Sequence, residues 1–89
     1  MKQALAITLS GRVQNVGFRF STVQKAQEFN IRGFVKNKYD GTVYIEAEGE
    51  AENLNSFLEW CKKGPTAATV QNTETQEIPI QEFSSFTIK

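Results

Sequence analysis

The sequence predicts an α+β fold: two helices on one face of an antiparallel sheet of four to five strands, in the order β-α-β-β-α-β. Three observations predict it. Residues 3–10 and 42–48 alternate apolar with small or polar residues, the period of a half-buried strand. Residues 18–29 and 54–61 carry apolar side chains three and four apart, the period of a helix with one buried stripe. Asp40-Gly41 between two strand-like runs is hairpin chemistry.

Taken in order, Leu5, Ile7 and Leu9 fall on one face of the first strand and Ala4, Ala6 and Thr8 on the other. Gly11 to Gly17 is a loop bounded by glycines. From Phe18 the period changes, and Phe18, Thr22, Ala26 and Phe29 form a helical stripe that fades near Asn30. Gly33 to Lys38 reads as a second strand, and Tyr39-Asp40-Gly41 as its turn. In the strand that follows, Val43, Ile45 and Ala47 point inward, with Tyr44, Glu46 and Glu48 outward. Residues 51–63 form the second helix, with Leu54, Phe57, Leu58 and Cys61 on its stripe. Lys62 and Lys63 suit the carbonyl end of its dipole, and Gly64-Pro65 stops it. Thr69 to Ile78 is a polar, threonine-rich edge strand that Pro79 breaks, and Phe83 to Ile88 is a short last strand. This order is the ferredoxin-like split β-α-β pattern.

Composition narrows the chemistry. With 89 residues, the chain holds one domain, read as residues 1–89, because a second core needs roughly 50 residues more. No histidine excludes an imidazole base or metal ligand, and one cysteine excludes an internal disulfide or a cysteine-clustered metal site. Ten cations balance ten anions, so the chain is a poor general nucleic-acid binder, and no nucleic-acid partner is expected. No apolar run approaches the ~20 residues of a membrane span, and the start lacks a leader's apolar core. A cytoplasmic protein, with no membrane partner, is therefore expected. The balance conceals a split. Residues 1–45 hold seven cations against two anions (+5), and residues 46–89 hold eight glutamates against three lysines (−5).

Two places can carry chemistry. In Gly11-Arg12-Val13-Gln14-Asn15-Val16-Gly17-Phe18-Arg19, glycines and an asparagine tolerant of positive φ let successive backbone N–H groups turn inward. The helix amino terminus adds its unpaired N–H groups, and Arg19 can aim a fork of donors into the same cradle. Such a cradle suits a phosphate, although a loop that merely needs glycines, with Arg19 at the surface, fits the spacing as well. Asn37 ends the second strand and can face this loop. Its carboxamide is either a water-orienting group or a turn former. Lys36 and Lys38 offer a phosphate-attracting rim or a solubilising strand face. Cys61, on an apolar stripe with no base nearby, is a buried small hydrophobe.

In these residues the chain resembles the acylphosphatase family. The Gly11–Arg19 segment is its first motif. Gly33-Phe34-Val35-Lys36-Asn37, followed by Asp40-Gly41-Thr42-Val43 and Gly49, is its second. The resemblance runs through Gly64-Pro65 to Phe86 and Ile88. It implies a ferredoxin-like fold and the metal-free hydrolysis of a carboxyl-phosphate anhydride, with no cofactor. It further implies that Arg19 binds the substrate phosphate together with the backbone N–H groups of Arg12, Val13, Gln14, Asn15, Val16, Gly17 and Phe18. Asn37 would orient the attacking water. Two positions depart from the family pattern: Asn15 stands where glycine is usual, and Ser10 where histidine is frequent.

The expected partner is a small-molecule acyl phosphate, and the expected state a monomer. The chain begins at methionine and ends after its last strand, so a free-standing enzyme is expected. Two other readings stay open: a non-catalytic ferredoxin-like module binding phosphate, nucleotide or RNA, and an acylphosphatase-like domain of a larger enzyme handling carbamoyl phosphate.

Overall fold

Strand alternation and turn chemistry place all the elements but the last strand within about two residues of expectation. In the computed structural model, which describes residues 1–89, they are β1 (Lys2–Arg12), α1 (Phe18–Glu28), β2 (Arg32–Asn37), β3 (Val43–Glu50), α2 (Ala51–Lys63), β4 (Thr69–Ile78) and β5 (Phe86–Ile88). The sheet order is β4-β1-β3-β2-β5. β1 runs antiparallel to β3 and β4, and β2 antiparallel to β3. No helix is long and apolar enough to cross a membrane.

One face of the sheet carries the core. Ile7 lies opposite Ile45 and Leu9 opposite Val43 across β1 and β3, while Val35 of β2 meets Ile45 from the other side. α1 lowers Phe18, Thr22 and Ala26 onto this face, and α2 lowers Leu54, Phe57 and Cys61. Thr22 is the one hydroxyl on these buried stripes. Its Oγ1 donates to the Phe18 carbonyl at 2.7 Å, so its burial leaves no donor unmatched. Burial pushes the Cys61 thiol far above its ordinary pKa, which keeps it protonated and inert. Gly33 is where β2 passes closest to β3. A Cβ there would strike the Glu46 carbonyl, so only glycine allows the pairing.

Three expectations need correction. The sheet is mixed, because β5 runs parallel to β2. β4 lies on one edge and β5 on the other, so residues 79–85 must carry the chain across the sheet. β5 is also shorter than expected and begins at Phe86 rather than Phe83. Phe83 packs instead edge-on against Phe34, at 5.9 Å between ring centres. Glu48, expected in solvent, is only 6% exposed. Its carboxylate accepts hydrogen bonds from the backbone N–H groups of Gln81 and Phe83, each at 2.9 Å. The Gln81 side chain donates in turn to Glu46 at 2.8 Å. The connector is thus strapped over the sheet face opposite the helices, and Glu48 fastens it.

That strap depends on charge-assisted bonds that no apolar residue replaces. Glu48→Ala leaves two backbone N–H groups without acceptors and is expected to lower the unfolding free energy by about 2–4 kcal/mol. Glu48→Gln, which keeps one acceptor oxygen, should lose less. Urea denaturation of the three proteins measures both, and a loss below about 1 kcal/mol for Glu48→Ala would show that the strap holds without the carboxylate.

Candidate active site

The loop after β1 begins with a forced break. The register of β1 against β4 slips between Ser10 and Gly11. Gly11 takes φ 121°, and a Cβ there would run into the Thr69 carbonyl. Beyond this bulge the chain leaves the sheet. Val13 is fully buried and anchors the loop to the core, with half-buried Val16 packed against the same cluster. Between and after these anchors, Asn15 (φ 63°) and Gly17 (φ 75°) take the left-handed conformation. Paired left-handed residues turn backbone N–H groups toward one concavity, the geometry that binds anions. Gly17 is also the N-cap of α1, and no side chain caps the helix start. The N–H groups of its first turn, which carry the positive end of the helix dipole, have no side-chain cap. Phe18 fixes that start from below, buried and packed on Trp60 at 5.6 Å between ring centres.

Asn37 arrives from the opposite direction. It is the last residue of β2 and lies in one row with Val43 of β3 and Leu9 of β1. Strand alternation puts that row on the face covered by the helices. Asn37 Oδ1 is buried and has no hydrogen-bond partner in the protein. Gln14 ties the two halves of the site together. Its Nε2 donates to the Lys38 carbonyl at 2.8 Å and the Thr42 carbonyl at 2.9 Å, bridging the loop to the β2–β3 hairpin. The hairpin has its own lock: the Asp40 carboxylate accepts from the Thr42 hydroxyl at 2.7 Å and the Thr42 N–H at 3.0 Å. These bonds, the hydroxyl's first, hold the Asp40 pKa below its ordinary value.

Together the loop and Asn37 enclose a small cavity of about 130 Å³, lined by Val13, Asn15, Gly17, Phe18, Arg19, Phe20 and Asn37. Of the residues expected from sequence, it gathers Arg19, Asn37, Val13, Asn15, Gly17 and Phe18. Gln14 lines an adjoining groove with Asn37, Lys38 and Tyr39. Arg12, exposed and still paired to β4, and Val16 do not line the cavity. Arg19 is half-buried and takes part in none of the three ion pairs, so its guanidinium is uncommitted. No carboxylate, imidazole or thiol lines the cavity.

Of the two readings of Lys36 and Lys38, the strand-face one fits: neither lines the cavity, and only Lys38 borders the adjoining groove. Their ammonium groups sit 5.7 and 5.6 Å from the centre of the Tyr44 ring, a residue of the opposite sheet face. Tyr44 suits that role because its hydroxyl donates to Glu46 at 2.7 Å, and desolvation with this bond raises its pKa to about 12, so the ring stays neutral. Phe20, which sequence reasoning passed over, lines the cavity while 73% exposed. Its signal was present: an aromatic residue immediately after Arg19, off the Phe18–Thr22–Ala26 stripe.

Comparison with known proteins identifies the family and the fold. The acylphosphatase family model matches residues 5–88. The chain is 47% identical over 85 residues to an acylphosphatase of Archaeoglobus fulgidus, covering 96% of each. The crystal structure of acylphosphatase from Bacillus subtilis matches with a TM-score of 0.95 at 36% identity, over 100% of this chain and 99% of that one. The HypF protein of T. kodakarensis also matches, with a TM-score of 0.86 and 38% identity, but there 98% of this chain corresponds to only 12% of the other. Since the family match takes in both motif segments and all but the outermost residues, the chain belongs to the acylphosphatase family of hydrolases.

Proposed function

We propose that the chain hydrolyses small acyl phosphates to carboxylate and phosphate, with Arg19 and the loop N–H groups holding the phosphoryl group and Asn37 orienting the water. The observation that carries this reading is the buried, unpartnered Oδ1 of Asn37 in the cavity that Arg19 also lines. A buried acceptor without a partner is costly, and it persists where a ligand or a water completes it. Here it can accept one water proton and so aim a lone pair of that water at phosphorus.

The chemistry asks for little more. The leaving carboxylate has a conjugate acid of pKa near 4, so it departs without a proton donor. What remains is in-line alignment and stabilisation of the equatorial phosphoryl oxygens. Arg19 supplies a planar, permanently charged fork, and the first turn of α1 supplies N–H groups already oriented toward an anion. An amide is too weak a base to deprotonate water. The new bond forms from water oxygen to phosphorus, the phosphorus–acyl oxygen bond breaks, and the carboxylate leaves with the electron pair. The water proton passes to a phosphoryl oxygen of the substrate.

Arg19→Ala is expected to lose both phosphate affinity and turnover, with kcat/KM down by at least about 1,000-fold. Asn37→Ala should lose kcat by about 100-fold or more and keep phosphate affinity within about threefold. Turnover of benzoyl phosphate, with inorganic phosphate as a competitive inhibitor, separates the two. A wild-type kcat in Asn37→Ala would refute the water-orienting role, and phosphate binding without any hydrolysis would leave a binding module instead.

The cavity lining holds no group that titrates near neutrality, so kcat/KM should be flat from about pH 6 to pH 9 once substrate ionisation is accounted for. A chelator should leave the rate unchanged, since the lining offers a divalent cation no anionic ligand. A bell-shaped profile, or loss of activity in chelator, would point to an acid, a base or a metal outside this set.

A further inference from the structure

The cavity is large enough for the phosphoryl group and little else. At about 130 Å³ it is well below the roughly 300 Å³ at which pockets begin to enclose whole small molecules. The acyl portion of a substrate must therefore lie at the mouth. Its direction follows from the reaction, and here the inference rests on the function proposed above. In-line displacement puts the leaving oxygen on the far side of phosphorus from the attacking water. The water stands at Asn37, so the acyl group points away from Asn37. The grooves bordered by Lys38 and Tyr39 share Asn37 with this cavity but include neither Arg19 nor Phe20.

Among the residues that line the cavity, one offers an open apolar surface. Val13 and Phe18 line the cavity but are buried in the core. Phe20 lines it with 73% of its surface open. It lies next to Arg19 in the first turn of α1, so its backbone is held by the same helix that carries Arg19. An exposed phenylalanine elsewhere would be unremarked, but this one stands at the mouth of the site. The charge pattern agrees. Arg19 is the only cation of the lining and, on the proposed function, is engaged by the phosphate, while Lys36 and Lys38 lie over the Tyr44 ring. A second negative charge on the acyl group would find no further cation in the lining.

We propose that Phe20 is a specificity-determining residue whose ring packs against the acyl group, so that the site prefers acyl phosphates with flat or extended apolar acyl groups over small or charged ones. The preference arises from one aromatic contact at a half-open site and has the modest size of such contacts.

The test is the ratio of kcat/KM for benzoyl phosphate to that for acetyl phosphate. Comparing each variant's ratio with the wild-type ratio cancels the intrinsic reactivity of the two anhydrides. Phe20→Ala is expected to lower the ratio about three- to tenfold, and Phe20→Trp, which restores a flat apolar surface, to keep it within twofold. A ratio unchanged in Phe20→Ala, or one that falls in Tyr39→Ala instead, would overturn the proposal while leaving the hydrolytic function intact. Failure of the wild type to hydrolyse either substrate would overturn both.

Discussion

The register of β3 against its two neighbours is the constraint on which the site depends. β1 delivers the loop and β2 delivers Asn37, yet these strands never touch, because β3 lies between them. The row Leu9–Val43–Asn37 aligns the two across that intervening strand. Side chains alternate with period 2, so a slip of one residue between β2 and β3 would turn Asn37 to the opposite face and bring a lysine to the cavity. The core holds the register. Ile7, Ile45 and Val35 meet in the next helix-facing row, and each is fully buried. A slip of β2 would turn Val35 out of the core and Lys36 into it, a cost of about 2 kcal/mol for the valine by area alone, before the buried charge is counted. The apolar packing and the catalytic geometry are therefore one specification, satisfied together.

The loop is held by different means. It lacks regular secondary structure, and two of its residues, Asn15 and Gly17, sit at positive φ. Asparagine tolerates that conformation better than other side chains, and a cost on the order of 1 kcal/mol remains at Asn15. Against it stand the buried anchor Val13, the Phe18–Trp60 contact and the two bonds from Gln14 to the hairpin. Those bonds contribute about 1 kcal/mol each and also fix the distance between the loop and the strand that ends in Asn37. Preorganisation of this kind matters more for turnover than for stability, because donors already aimed need no rearrangement as charge builds on the phosphoryl oxygens.

Much of this was legible in the sequence, because it is local. The Phe18–Thr22–Ala26 stripe, the glycines that bracket the loop and the Asp40-Gly41 turn each state their conformation within a few residues. What was not legible depends on crossings that no window contains. Glu48 reads as a solvent-facing strand residue until a segment more than thirty positions later lies across it. Phe83 reads as the start of a strand, but it is engaged by Phe34 and cannot continue the ladder. Lys36 and Lys38 flank Asn37 in sequence, which left both a rim and a solubilising strand face open. The same alternation that turns Asn37 toward the helices turns them away.

The absence of histidine then acquires a structural meaning. A phosphate ester releases an alkoxide, a far stronger base than a carboxylate, and its hydrolysis profits from a general acid beside the leaving oxygen. This lining has none: its only ionised side chain is an arginine, which donates hydrogen bonds but not protons. On the function proposed here, a cradle of this kind would hold the phosphoryl group of esters and anhydrides alike, and would advance only the substrates whose leaving group departs unaided. Selectivity for the anhydride would then arise less from a contact that recognises it than from the absence of a proton donor in the lining.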